Sequence, residues 1–285
     1  MSIPSGASPL PFTMVMLQPS AVQTAAPVPT PLPILKDSDM KSKTEKTKET
    51  LAETQSPFDL PTLRLEIRDL THPGTKAFLS SVIASTAQER AARKVLELLY
   101  ISPNNSTTEV PGTRSVTLIL RSMDGVAYTT GSDLDDDHKE IHLSLEYIDS
   151  ISKARQADEI LGVLTHEMVH CYQYNGNHTC PGGLIEGIAD WVRLRANLAP
   201  PHWSRSGSGD WDAGYDRTGY FLQYLEKRYG AGTISKLNDK LRADDYEEER
   251  FWTELLGQPV KQLWGDYGKA LEAADISGGE DEDFQ

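Results

Sequence analysis

The sequence predicts an α+β domain over residues 58–275, on the strength of three observations. Apolar residues alternate with polar ones in short runs in the first half of the domain, they recur at intervals of three and four in the second half, and the composition changes abruptly near residues 57 and 276. Strands first and helices afterwards indicate a small sheet with a long helix, followed by a mainly helical half.

The flanking segments read as disordered. Eight prolines fall within residues 1–35, mixed with Ser, Ala and Thr, and Lys36 to Glu53 alternates Lys, Glu, Asp and Thr with almost nothing apolar. Neither stretch can bury enough surface to offset its ordering entropy. The arm 1–57 is therefore expected to be a tether rather than a docking ligand. Inside the domain, Leu63, Leu65 and Ile67 alternate with Arg64, Glu66 and Arg68, the pattern of a strand with one buried face. Thr75 to Tyr100 reads as one long helix, with Phe78, Val82, Ile83, Val95, Leu98 and Leu99 on its apolar side. After a loop at Asn104, Asn105, Pro111 and Gly112, a second strand carries Val116, Leu118 and Leu120, and a further one Ile141, Leu143 and Leu145. The acidic run Asp133, Asp135, Asp136 and Asp137 lacks the spacing of an EF-hand and reads as a solvated turn. Three or four strands are expected. Helices then follow near 153–175, 183–198, 215–229, 233–242 and 259–274, and residues 276–285 form an acidic tail.

Charge and composition exclude several functions. The 285 residues carry 28 Lys plus Arg against 42 Asp plus Glu, a formal net charge of -14, which repels polyanions. No nucleic-acid partner is expected. Two cysteines, Cys171 and Cys180, rule out a disulfide-rich scaffold and a four-cysteine zinc module, although a bridge between these two is sterically possible. No stretch offers the 18 or so apolar residues of a membrane span. Residues 1–35 have no charged side chain, hence no basic start to an export signal, and a cytoplasmic setting is expected.

The sharpest chemical signal is His166, Glu167, Met168, Val169, His170, preceded by Ile160, Leu161, Val163 and Leu164. Helical positions four apart share a face, so both imidazoles reach one ion while Glu167 points beside it. Zinc with three protein ligands keeps a fourth position for water and lowers its pKa to about 7, and Glu167 then serves as general base. Downstream, Pro181, Gly182 and Gly183 open a second helix carrying Glu186 and Asp190 among Leu184, Ile185, Ile188, Ala189 and Trp191. A carboxylate in apolar company needs a partner or a cation, which makes Glu186 a candidate third ligand. Asp190, one turn on, suits a hydrogen bond to the outer nitrogen of a liganding histidine. His178 is a rival third ligand in a turn-rich loop. Two histidines on an apolar helix are also ordinary core residues, and Glu186 with Asp190 also fits a partly solvated acidic pair. The metzincin pattern is excluded, since Gln173 stands where it needs Gly and Gly176 where it needs His.

The run His166 to His170, then Tyr172 to Gly176 (YQYNG), then Pro181 to Arg193 (PGGLIEGIADWVR), and later Trp211 to Tyr215 with Phe221, Leu222, Tyr224 and Leu225, resembles the plant basic secretory protein family of predicted zinc peptidases, also found in fungi and bacteria. The similarity spans about residues 61–275. It implies a zincin-like fold of the glutamate-ligand type, with zinc held by His166, His170 and Glu186, Glu167 catalytic, and a peptide or protein substrate. In such folds a strand edge before the active-site helix pairs with the substrate backbone, and Lys139 to Tyr147 is the segment in that place. Tyr215 is the candidate donor to the oxyanion, with Tyr220, His202 and Arg217 as alternatives. The likeness also makes secretion the alternative localisation. A non-catalytic binding or scaffold protein that kept the fold is the alternative function.

Overall fold

The structure, a computed structural model, describes residues 58–104 and 109–277, so the expected arm 1–57 and the tail from Gly278 lie outside the described residues. Four strands form one sheet: β1 (Thr62–Ile67), β2 (Ser115–Arg121), β3 (Ala127–Ser132) and β4 (Asp135–Ser144), in the order β1-β2-β4-β3. β1, β2 and β4 run parallel, while β3 returns antiparallel beside β4. Val116, Leu118, Leu120, Ile141 and Leu143 are buried in the core, as expected for the inner strands of a sheet covered by helices.

β3 is the strand that alternation leaves unmarked, because its residues, AYTTGS, are small or polar and half exposed. It forms the outer edge on the β4 side. Lys139 to Tyr147 is therefore not an edge: its first six residues lie inside the sheet between β2 and β3, and Leu145–Ser150 turns into α3, capped by the Ser144 hydroxyl on the Tyr147 N–H. The stretch expected as one helix from Thr75 is two, α1 (Pro73–Ser81) and α2 (Ala84–Tyr100), with Val82 and Ile83 extended between them. Ser80 and Ser81 hydroxyls bond back to the Ala77 carbonyl, and two β-branched residues follow; both features weaken helix continuation.

The helical half comprises α4 (Gln156–His170), α5 (Gly182–Arg195), α6 (Tyr215–Tyr229), α7 (Thr233–Ala243), α8 (Glu248–Leu256) and α9 (Val260–Ser277). α9 runs two residues past the expected end of the domain. α8 escapes the periodicity because it opens on Glu248, Glu249 and Arg250, with Glu247 as its cap, and buries only Phe251 and Trp252. Among the described residues, no helix is long and apolar enough to cross a membrane.

α4 is buried almost all round from Ile160 to Val169, as its uniform apolarity requires. α5 packs beside it and against α6, and glycines set that second spacing. A Cβ on Gly183 would sit 1.7 Å from the Asp212 carbonyl oxygen, and one on Gly187 2.2 Å from Thr218 Cγ2. Trp211, Phe221, Trp252, Trp264 and Tyr267 then form an aromatic cluster beneath the segment leading into α6, with neighbouring ring centroids 5.2–6.2 Å apart. Gly183→Ala is expected to lower the unfolding free energy by about 1–3 kcal/mol, because a backbone carbonyl cannot swing aside. A lower urea midpoint at unchanged slope checks this.

Candidate functional site

α4 and α5 lie antiparallel, and their facing stripes carry most of the polar side chains buried at this point. His166 and His170, one turn apart, project toward Glu186. His166 Nε2 is 3.0 Å from Glu186 Oε2 and 3.2 Å from His170 Nε2, and the third side of the triangle, His170 Nε2 to Glu186 Oε2, is 3.8 Å. Ligand atoms about 2.0–2.1 Å from a tetrahedral zinc stand about 3.3–3.4 Å from one another, so this triangle fits such an ion. These residues are the group of possible metal ligands among the described residues. His178 is not in it: its exposed ring contacts Asn175 in a tight turn with φ 66.

The outer nitrogens are occupied as well. His166 Nδ1 lies 2.6 Å from Oδ1 of Asp190, which is 2% exposed. Burial would lower the His166 pKa, but hydrogen bonds to Asp190 and Glu186 outweigh it and raise it to about 9. Burial and the neighbouring His166 charge push His170 down to about 4. The hydrogen bond from His166 holds the Glu186 carboxyl below its ordinary value. Protonated His166 thus lies between two acids, where a cation would balance the same charges.

Glu167, about 100° around α4 from His166, faces β3 beside the triangle, where burial raises its pKa. Thr129 on β3 donates a hydrogen bond to Glu167 Oε2 at 2.7 Å, so the edge strand positions the carboxylate. A cleft of about 860 Å³ opens over both, walled by Ala127 to Thr129 of β3 on one side and by His202, Trp203 and Tyr215 on the other. Tyr215 starts α6 directly after Gly214. Its φ of 50 and the Gly214 φ of 84 place both in the left-handed region, a strained conformation for tyrosine. Its ring is parallel to that of His166 at 6.3 Å, it is 58% exposed, and the charge of Glu186 raises its pKa, keeping the phenol protonated. The Thr218 hydroxyl braces this corner by accepting from the Gly214 N–H and donating to the Trp211 carbonyl. Among the alternatives to Tyr215, His202 lines the cleft; Tyr220 and Arg217 lie outside it, packed on Trp203 and bonded to the Ser208 carbonyl respectively.

Three participants have no sequence signal of their own. Thr129 sits on a strand that alternation does not reveal. Gln173 accepts at Oε1 from His170 Nδ1 at 3.0 Å and donates from Nε2 to the Ile185 carbonyl at 3.1 Å. Arg193, two turns beyond Glu186 on α5, pairs with Glu159 at 2.8 Å and lies beneath Trp203 at the far end of the cleft. Its Nε would be 2.5 Å from a Cβ on Gly162, so a glycine on α4 makes its room. Cys171 and Cys180 are free thiols.

In the metal-free protein, the stabilisation that His166 gains is present in full below its ordinary pKa of 6.5 and is lost as the pH rises through about 9. His170 acts oppositely, its contribution being lost as the pH falls from 6.5 through about 4. Chelator-treated protein is therefore expected to unfold at a lower temperature at about pH 9 than at pH 6.5, and Asp190→Asn to flatten that alkaline limb. Melting curves by circular dichroism across this range check both.

A family model described as a peptidase of plants and bacteria, BSP, matches residues 60–267. No curated protein and no solved structure matches the chain. The chain belongs to the BSP peptidase family.

Proposed function

From this family membership and the ligand triangle, we propose that the chain is a zinc-dependent metallopeptidase of zincin-like fold that hydrolyses peptide bonds in peptide or protein substrates. The observation that carries the reading is the convergence of His166, His170 and Glu186 at 3.0, 3.2 and 3.8 Å. These three residues would hold the metal. When bound, zinc supplies Lewis acidity, lowering the pKa of a water to about 7 and polarising a carbonyl.

The chain's own residues do the rest. Glu167 takes the proton of the attacking water and returns it to the departing amine; its burial raises its pKa above the ordinary carboxylate value, which makes it a stronger base. Thr129 keeps the carboxylate aimed. β3, the sheet's outer strand among the described residues, offers backbone groups to an extended peptide, so the substrate lies between β3 and the wall formed by Trp203 and Tyr215. The protonated Tyr215 hydroxyl donates to the oxygen that becomes negative as the carbonyl is attacked. Asp190 keeps a proton on His166 Nδ1 and so leaves Nε2 free for the metal.

Elemental analysis and peptide turnover test the reading. Wild type is expected to hold one zinc and to cleave a casein or peptide substrate. Glu167→Gln is expected to retain the zinc and lose about 10²–10⁴ in kcat. Glu186→Ala is expected to lose zinc as well as activity. A folded wild type that takes up no metal refutes the reading. One that binds zinc but cleaves nothing favours the scaffold function.

A further inference from the structure

Gln173 lies just past the end of α4, with its backbone fixed by a hydrogen bond from its N–H to the Val169 carbonyl at 2.8 Å. Its side chain reaches two groups at once, His170 Nδ1 and the Ile185 carbonyl. Their chemistry leaves one arrangement. A backbone carbonyl only accepts, so the amide end facing Ile185 is the NH2. The other end is then the amide oxygen, which also only accepts. His170 Nδ1 must therefore carry a proton, and in the neutral ring the lone pair falls on Nε2, the atom 3.2 Å from His166 Nε2 and 3.8 Å from Glu186 Oε2.

We propose that Gln173 is a positioning residue that fixes His170 in its Nδ1–H form, with the Ile185 carbonyl setting the direction of the amide. The two histidines are thus oriented by different means. Asp190 holds His166 with a buried charge, whereas Gln173 holds His170 with a neutral amide. The carbonyl that directs the amide belongs to the residue before Glu186, so the histidine on α4 is oriented from the same backbone that carries the carboxylate on α5. The inference rests on the metal-site reading for its purpose, but the tautomer exists with or without metal.

Its test uses the full chain and needs no turnover. Long-range ¹⁵N–¹H spectra of the histidine rings in chelator-treated protein are expected to show His170 as the Nδ1–H tautomer in wild type and as a mixture with the Nε2–H form in Gln173→Leu. Competition with a chromogenic chelator is expected to show zinc bound about 10- to 100-fold more weakly by Gln173→Leu. Gln173→Glu keeps an acceptor for Nδ1 but turns a second acceptor toward the Ile185 carbonyl, so it is expected to restore the tautomer and only part of the affinity. An unchanged His170 tautomer in Gln173→Leu overturns the proposal, as does a Gln173→Glu variant that folds but shows the same tautomer mixture as Gln173→Leu. A wild type with the Nδ1–H tautomer but no peptidase activity would count against the proposed function and leave the role of Gln173 standing.

Discussion

The charge balance between α4 and α5 governs the site. Glu167, Glu186 and Asp190 bring three carboxyl groups to one end of a helix pair where His166, Glu167 and Asp190 are almost wholly buried. Buried carboxylates are unfavourable without a cation or hydrogen bonds to match them. Protonated His166, held between Asp190 and Glu186, meets that demand. A divalent ion at the same point would meet it more fully and release the proton. A bound cation and a protonated His166 would therefore answer the same electrostatic requirement.

The remaining elements keep that geometry and give a substrate access to it. Glycines let α5 and α6 approach, and Gly162 lets Arg193 lie flat on α4. Arg193 and Glu159 close the far end of the helix pair, so the antiparallel register is tied at both ends. The sheet brings β3, its outer strand among the described residues, over Glu167. On the opposite wall, Tyr215 sits at a left-handed corner braced by Thr218 and backed by aromatic packing. Strain of this kind persists where the surroundings over-determine it, and here it falls beside the ligand triangle.

That His166, His170, Glu186 and Asp190 come together was legible in the sequence because helical spacing converts directly into a shared face, and because a carboxylate among apolar neighbours calls for a partner. The strands at Leu63–Ile67 and Val116–Leu120 and the helices beginning at 215 and 233 were legible for the same reason of period. What stayed hidden depended on contacts between distant segments. β3 has no apolar alternation, since one face meets the cleft and the other is half exposed, and without β3 the neighbouring Lys139 to Tyr147 passes for an edge. Gln173 is an ordinary polar residue until α5 brings the Ile185 carbonyl to it. The break at Val82 and Ile83 is a local conflict between apolar spacing, which continues, and β-branching with serine back-bonding, which does not.

Two imidazoles and a carboxylate on adjacent helices, those of His166, His170 and Glu186, would hold one divalent cation. X-ray absorption at the zinc edge, recorded on the full chain loaded with one equivalent of zinc, tests it most directly. A first shell of nitrogen and oxygen at about 2.0–2.2 Å with the multiple-scattering signature of two imidazole rings is expected. A sulfur shell at about 2.3 Å, which would bring Cys171 or Cys180 into the coordination, or a shell with fewer than two imidazoles, would contradict it.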